Sequence, residues 1–176
     1  MGSWHSESSA IAADRLEKME STMQTVLVVE DNRLVKVVHE RLLSRAGYKV
    51  VTAADGEEAL KVAQETSPDV ILLDMMLPKL SGQQVLRELK GDPATEHIPV
   101  IIVTCLSKRN APKLKAEGAE AFVEKEDLVA TQKPLLDVVR RVLRNAASGK
   151  VGQVRAVELP WAVAGVKPGA GATKGI

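Results

Sequence analysis

The chain has 176 residues, of which 45% are hydrophobic and 27% charged, and its formal net charge is +1. That length suits one ordinary domain with some chain to spare, and the balanced charge gives no overall pull towards nucleic acid or a membrane surface. A single cysteine, Cys105, excludes an internal disulfide, and no apolar run approaches the ~20 residues of a membrane span.

Residues 1–24 read as a flexible or partly helical extension. Ala12, Leu16, Met19 and Met23 repeat at helical spacing, but a helix this short is marginal alone. Asp14, Glu17 and Glu20 interrupt any signal-peptide core, so the expected compartment is the cytoplasm. Thr25–Val29 is a short apolar run of the kind that forms a strand buried on both faces, and it ends in Glu30-Asp31. Asn32 caps the helix that follows, with Leu34, Val35, Val38, Leu42 and Leu43 as its expected apolar face and His39 as a surface histidine. Gly47 ends that helix at the position where a left-handed residue is usual. Tyr48–Thr52 is a second strand, and Asp55 with Glu58 is a capping pair for a second helix.

Val70-Ile71-Leu72-Leu73 runs straight into Asp74, and Pro78 and Gly82 then break the chain. A helix over Gly82–Lys90 and a loop at Asp92-Pro93 lead to a fourth strand, Val100–Val103, ending in Thr104-Cys105. Lys108–Glu117 is expected as a fourth helix, closed by Gly118. Ala121–Glu124 is the fifth strand, ending in Lys125, and a last helix with Pro134 in its first turn carries Leu135, Val139, Val142 and Leu143. Residues 25–147 thus form one domain. Residues 148–176 shift to Gly, Ala and Pro and read as a flexible tail.

Strand and helix alternate five times, which gives a doubly wound parallel sheet, an α/β fold with helices on both faces. Parallel strands present their carboxyl ends on one edge, so Glu30, Asp31, Asp74, Thr104 and Lys125 converge there. Carboxylates pushed together repel and call for a counter-ion, and oxygen ligands suit Mg²⁺ or Mn²⁺. A lysine and a hydroxyl beside them suit a phosphoryl group, and an aspartate can itself be the nucleophile that forms an acyl phosphate.

With the acidic pair Glu30-Asp31, Asp74 with Pro78 and Gly82, Thr104, and Lys125 with Phe122 before it, the chain resembles a receiver domain of a two-component response regulator. The kind it resembles is the stand-alone, chemotaxis-receiver-like kind. The resemblance implies a five-stranded sheet in the flavodoxin-like order 2-1-3-4-5 with five helices. It implies that Asp74 accepts a phosphoryl group from a histidine kinase or histidine phosphotransfer protein. Glu30, Asp31, Asp74 and the backbone carbonyl of Met76 would hold the metal, Glu30 through water. Thr104 and Lys125 would contact the phosphoryl oxygens, and the ring of Phe122 would follow Thr104. Met76 and Leu106 occupy the two positions that flank the approach of hydrolytic water in the family.

One departure stands out. The family usually places proline directly after the lysine, and here the residue is Glu126. A cis bond before a non-proline residue costs ~2.5–4 kcal/mol, so a trans bond and a reshaped loop from Glu126 to Lys133 are expected. Output is expected through contacts with a downstream protein, with a weak homodimer as one use of the basic runs on the fourth and last helices. Neither enzymatic activity, direct nucleic-acid binding nor a membrane anchor is expected. The alternative reading is a phosphorylation-independent interaction module on the same fold.

Overall fold

The computed structural model describes residues 23–126 and 133–148. The expected N-terminal helix (but for Met23), the loop that Glu126 opens and the Gly-rich tail lie outside them.

Five strands, β1 (Thr25–Val29), β2 (Lys49–Ala53), β3 (Val70–Leu73), β4 (Val100–Thr104) and β5 (Ala121–Glu124), form one parallel sheet in the order β2-β1-β3-β4-β5. The expected fold and strand order are therefore those observed. Strand residues alternate between the two faces. Val26, Val28, Leu72, Ile101, Val103 and Val123 join a core cluster with Leu43 of α1 (Arg33–Arg45) and with Leu135, Val139, Val142 and Leu143 of α5 (Lys133–Ala147). Leu27, Val29, Ile71, Leu73 and Ile102 face the other way, with Ala59 and Ala63 of α2 (Gly56–Thr66) and Val85, Leu86 and Leu89 of α3 (Gly82–Gly91). Leu114 of α4 (Ala111–Ala116) completes that layer. Sheet residues covered on both sides read as continuous apolar runs, which is why β1, β3 and β4 were legible in the sequence.

Local chemistry sets the helix ends. The Asn32 side chain accepts from the amides of Leu34 and Val35 at 3.0 and 3.3 Å, as a cap should. Asp55 accepts from the Glu58 amide at 2.9 Å, and Glu58 reaches back to the Ala54 amide at 2.7 Å. Ser81 and Gln84 form a capping box on α3. Gly47 has φ +91°, which confirms the left-handed stop after α1. The expected long fourth helix is shorter. Pro112 can stand only in a first turn because it has no N–H and its ring blocks the preceding turn. Accordingly α4 starts at Ala111, and Lys108–Asn110 form a separate 3-10 turn.

The inward face of α1 differs from the expected one. Leu34 is 78% exposed and Val38 42%, whereas His39 is only 4% exposed and lies inward with Leu43. Val35, His39, Leu42 and Leu43 also recur at helical spacing, and the sheet selects that stripe. Burial pushes the His39 imidazole down from 6.5 to about 4, helped by the Lys125 ammonium and opposed by the Asp74 carboxylate. A base with a lowered folded pKa contributes stability that is complete above 6.5 and is lost as pH falls from 6.5 towards 4. Between pH 6.5 and 5 the loss is about 2 kcal/mol at ~1.36 kcal/mol per pH unit. His39→Leu is expected to remove that acid sensitivity. Urea unfolding of parent and variant at pH 7 and pH 5 measures it, and parallel losses in the two would count against this role for His39.

Candidate phosphoacceptor site

The sheet topology brings the site together. β1 and β3 are neighbours in register, Val29 opposite Leu73, so Glu30 and Asp74 leave adjacent strands side by side. The Asp74 amide donates to the Val29 carbonyl at 3.1 Å and the Glu30 amide to the Ala53 carbonyl at 3.1 Å, which extends the ladder to the carboxyl edge. Gly82 fixes the turn after β3: its amide donates to the Met75 carbonyl at 3.1 Å, and a Cβ there would collide with the Asp74 carbonyl oxygen. No larger residue can occupy that position without moving Asp74.

Ligand atoms of Glu30, Asp31 and Asp74 lie within 4.8 Å of one another. Glu30 and Asp74 are buried and Asp31 is exposed. Lys125 follows β5, held by its amide donating to the Thr104 carbonyl at 2.9 Å. Its Nζ sits 2.6 Å from Asp74 Oδ2 and 2.6 Å from Glu30 Oε2. The Met76 amide donates to Asp74 Oδ1 at 3.2 Å and the Asn32 amide to Glu30 Oε1 at 3.2 Å. Asn32 thus serves both helix and site, a second role that the capping pattern alone gave no sign of.

The partners of this bridge shift in ways that pull against each other. Burial lifts the Glu30 carboxyl above its usual range although Lys125 draws it down. Burial alone would lower Lys125, yet its hydrogen bonds to Asp74 and Glu30 outweigh that and raise it. The lysine shift reports the pairing, and the Glu30 shift reports a buried carboxylate that one shared ammonium does not fully compensate. Three carboxylates against one ammonium leave two negative charges at the edge, so a divalent cation fits this donor set.

Thr104 closes the edge. It is fully buried, and its Oγ1 accepts a long 3.4 Å contact from the Leu106 amide. Phe122 is half-buried against the core layer that holds Ile102. Met76, two residues after Asp74, is 65% exposed, and Leu106, two residues after Thr104, is half-buried against the core layer. Glu30, Asp31, Asp74 and Lys125 are therefore in one cluster, with Thr104 at the end of the adjoining strand; Met76 and Leu106 follow Asp74 and Thr104 by two residues, and Phe122 lies on β5.

A doubly wound sheet in this order, with paired carboxylates and one lysine crowded at its carboxyl edge, is the architecture of a receiver, an α/β signalling domain. The chain belongs to the response regulator receiver domain family of two-component systems, whose model matches residues 26–139. It is 39% identical over 103 residues to the polar-differentiation response regulator DivK of Brucella anthropi, covering 58% of this chain and 84% of that one. Among solved structures it is similar to the chemotaxis response regulator CheY4 of Vibrio cholerae. That match has TM-score 0.63 and 31% identity, and covers 69% of this chain and 99% of the other. The receiver domain of a sensor histidine kinase from Pseudomonas aeruginosa, with a magnesium ion coordinated in its active-site cleft, matches at TM-score 0.61 and 27% identity. It covers 70% of this chain and 99% of that one. Among the described residues no helix is long and apolar enough to cross a membrane.

Proposed function

We propose that this receiver is a phosphorylation switch in which Asp74 takes a phosphoryl group from a histidine kinase or histidine phosphotransfer protein. The observation that carries the proposal is the Asp74 carboxylate at the end of β3, paired with Lys125 and placed beside Glu30 and Asp31. An oxygen of Asp74 bonds to phosphorus as the P–N bond of the donor's phosphohistidine breaks, and the electron pair returns to the imidazole. Asp31, Asp74 and the Met76 carbonyl, with Glu30 through water, would hold Mg²⁺ or Mn²⁺, which supplies positive charge against the phosphoryl oxygens when bound. Lys125 exchanges its contact with the two carboxylates for a phosphoryl oxygen. The Thr104 hydroxyl, weakly engaged beforehand, turns to another, and Phe122 moves into the space released. The chain acts through that change in shape on a downstream protein and is not an enzyme in its own right.

Intact mass after incubation with Mg²⁺ and a small acyl phosphate tests the reading. One added phosphoryl group, labile to hydroxylamine, is expected. No gain under conditions that label another receiver would favour the phosphorylation-independent interaction module.

Asp31→Ala is expected to weaken Mg²⁺ binding by about tenfold or more, the factor that ~1.4 kcal/mol of lost attraction gives. It should leave the fold intact, because Asp31 is exposed and its removal relieves repulsion among the carboxylates. A metal titration followed by NMR measures it, and unchanged affinity would remove Asp31 from the ligand set.

The phosphorylated state is expected to be long-lived. Hydrolysis needs a water in line with the Asp74–phosphorus bond, and neither Met76 nor Leu106 can orient or deprotonate one. Met76 is exposed beside Asp74, only two residues along the chain. Each ~1.4 kcal/mol lost from positioning the water slows hydrolysis about tenfold. The double change Met76→Asn with Leu106→Glu should therefore speed decay after the donor is removed. Decay no faster than in the parent would sink this reading of the two positions.

A further inference from the structure

At the edge of the sheet opposite Asp74, β1, β2 and α5 leave a groove of about 240 Å³ lined by Gln24, Tyr48, Arg140, Leu143, Arg144 and Ala147. An apolar cavity of ~150 Å³ is large enough to take up benzene, so this groove has room for the ends of two aliphatic side chains. Its chemistry is mixed. Leu143, Ala147 and the ring of Tyr48 offer apolar surface, while Arg140 and Arg144, one helical turn apart, are exposed and make no ion pair with any described residue. Among the described residues, Met23 is one of the few large apolar side chains left exposed, and it lies next in sequence to Gln24 of the groove wall.

We propose that the segment 12–22 of this same chain docks in that groove as a short amphipathic helix. Three properties select it. It joins the described chain at Met23, beside the groove wall, and eleven helical residues span ~17 Å, enough to run along α5. Its Leu16 and Met19 continue, with Ala12 and Met23, one apolar stripe at spacings of four, three and four residues. Glu17 and Glu20, one and four places after Leu16, edge that stripe on a single side and so can meet Arg140 and Arg144.

Charge separates the candidates at the two ends of the chain. Residues 1–22 carry Glu7, Asp14, Glu17 and Glu20 against Arg15 and Lys18, net −2. Residues 149–176 carry Lys150, Arg155, Lys167 and Lys174 against Glu158, net +3, which the two arginines repel. A second copy of the domain is a poor fit on size, because specific interfaces bury ~1,200–2,000 Å² and the groove exposes only a few side chains. A helix too short to persist alone gains its stability from such a surface, which the isolated segment lacks.

Hydrogen exchange followed by mass spectrometry on the full-length chain tests the proposal. Amides of 12–22 are expected to exchange about tenfold more slowly than those of a free peptide of the same sequence. The double variant Arg140→Glu with Arg144→Glu should abolish that protection, while β1 and β3 stay protected as the control for folding. Adding Glu17→Lys and Glu20→Lys to that variant should restore it. Three results overturn the proposal: exchange over 12–22 as fast as in the peptide, protection of 149–176 in its place, or protection of 12–22 that grows with protein concentration, the signature of a second copy.

Discussion

Asp74→Asn is expected to abolish phosphorylation outright while leaving the fold and its unfolding midpoint close to those of the parent. The amide is nearly the same size as the carboxylate, and the backbone that places it, with the Asp74 amide on Val29 and Gly82 packed beneath its carbonyl, is untouched. Asparagine offers a neutral oxygen in place of the nucleophilic carboxylate, and without that nucleophile no acyl phosphate can form. It also removes one of the two charges that Lys125 bridges. The measurement is intact mass with Mg²⁺ and an acyl phosphate, repeated after hydroxylamine. A variant that still gains a hydroxylamine-labile group would move the site to another residue.

Lys125→Ala is expected to be the most destabilising change at the site. It leaves Glu30 and Asp74, each nearly inaccessible, without the ammonium that stands 2.6 Å from both. Removing one partner of a buried ion pair costs ~3–5 kcal/mol. The lysine keeps some contact with solvent, so about 3 kcal/mol at pH 7 without metal is the expectation. The sign with pH follows from Glu30, whose folded carboxyl is already raised above 4.5 by burial and loses the lysine that pulls it down. A carboxyl raised on folding contributes stability that is fully present below the unfolded value and lost as pH rises through the folded one. The deficit of the variant should therefore shrink as pH falls towards 4.5. It should also shrink with saturating Mg²⁺, which binds the folded state and supplies the missing charge. Urea unfolding with and without Mg²⁺ at two pH values reads both effects. A deficit that ignores pH and metal alike would mean that lost packing, rather than charge, sets it.

Much of this molecule was legible because a strand covered on both faces must be apolar almost throughout, and only polar residues can end it. β1, β3 and β4 announced themselves in this way, and Glu30, Asp31, Asp74, Thr104 and Lys125 announced the edge. Caps were legible too: Asn32, Asp55 and Gly47 carry local chemistry that needs no distant partner. Pro112, which sets where the fourth helix starts, is likewise local chemistry that the sequence carries.

The order of elements and the residues that gather at one sheet edge follow from the amino-acid order, since parallel strands leave no other arrangement for their ends. The amino-acid order did not determine which side of α1 faces in. Leu34 and Val38 keep helical spacing as well as Val35 and His39 do, and periodicity fixes a stripe's width but not its direction. The sheet decided that by burying His39 and leaving Leu34 in solvent. That one lysine bridges Glu30 and Asp74 likewise followed from the assembled sheet, because residues just past the ends of three different strands meet only once those strands are ordered as observed, and that bridge governs the charge left at the site.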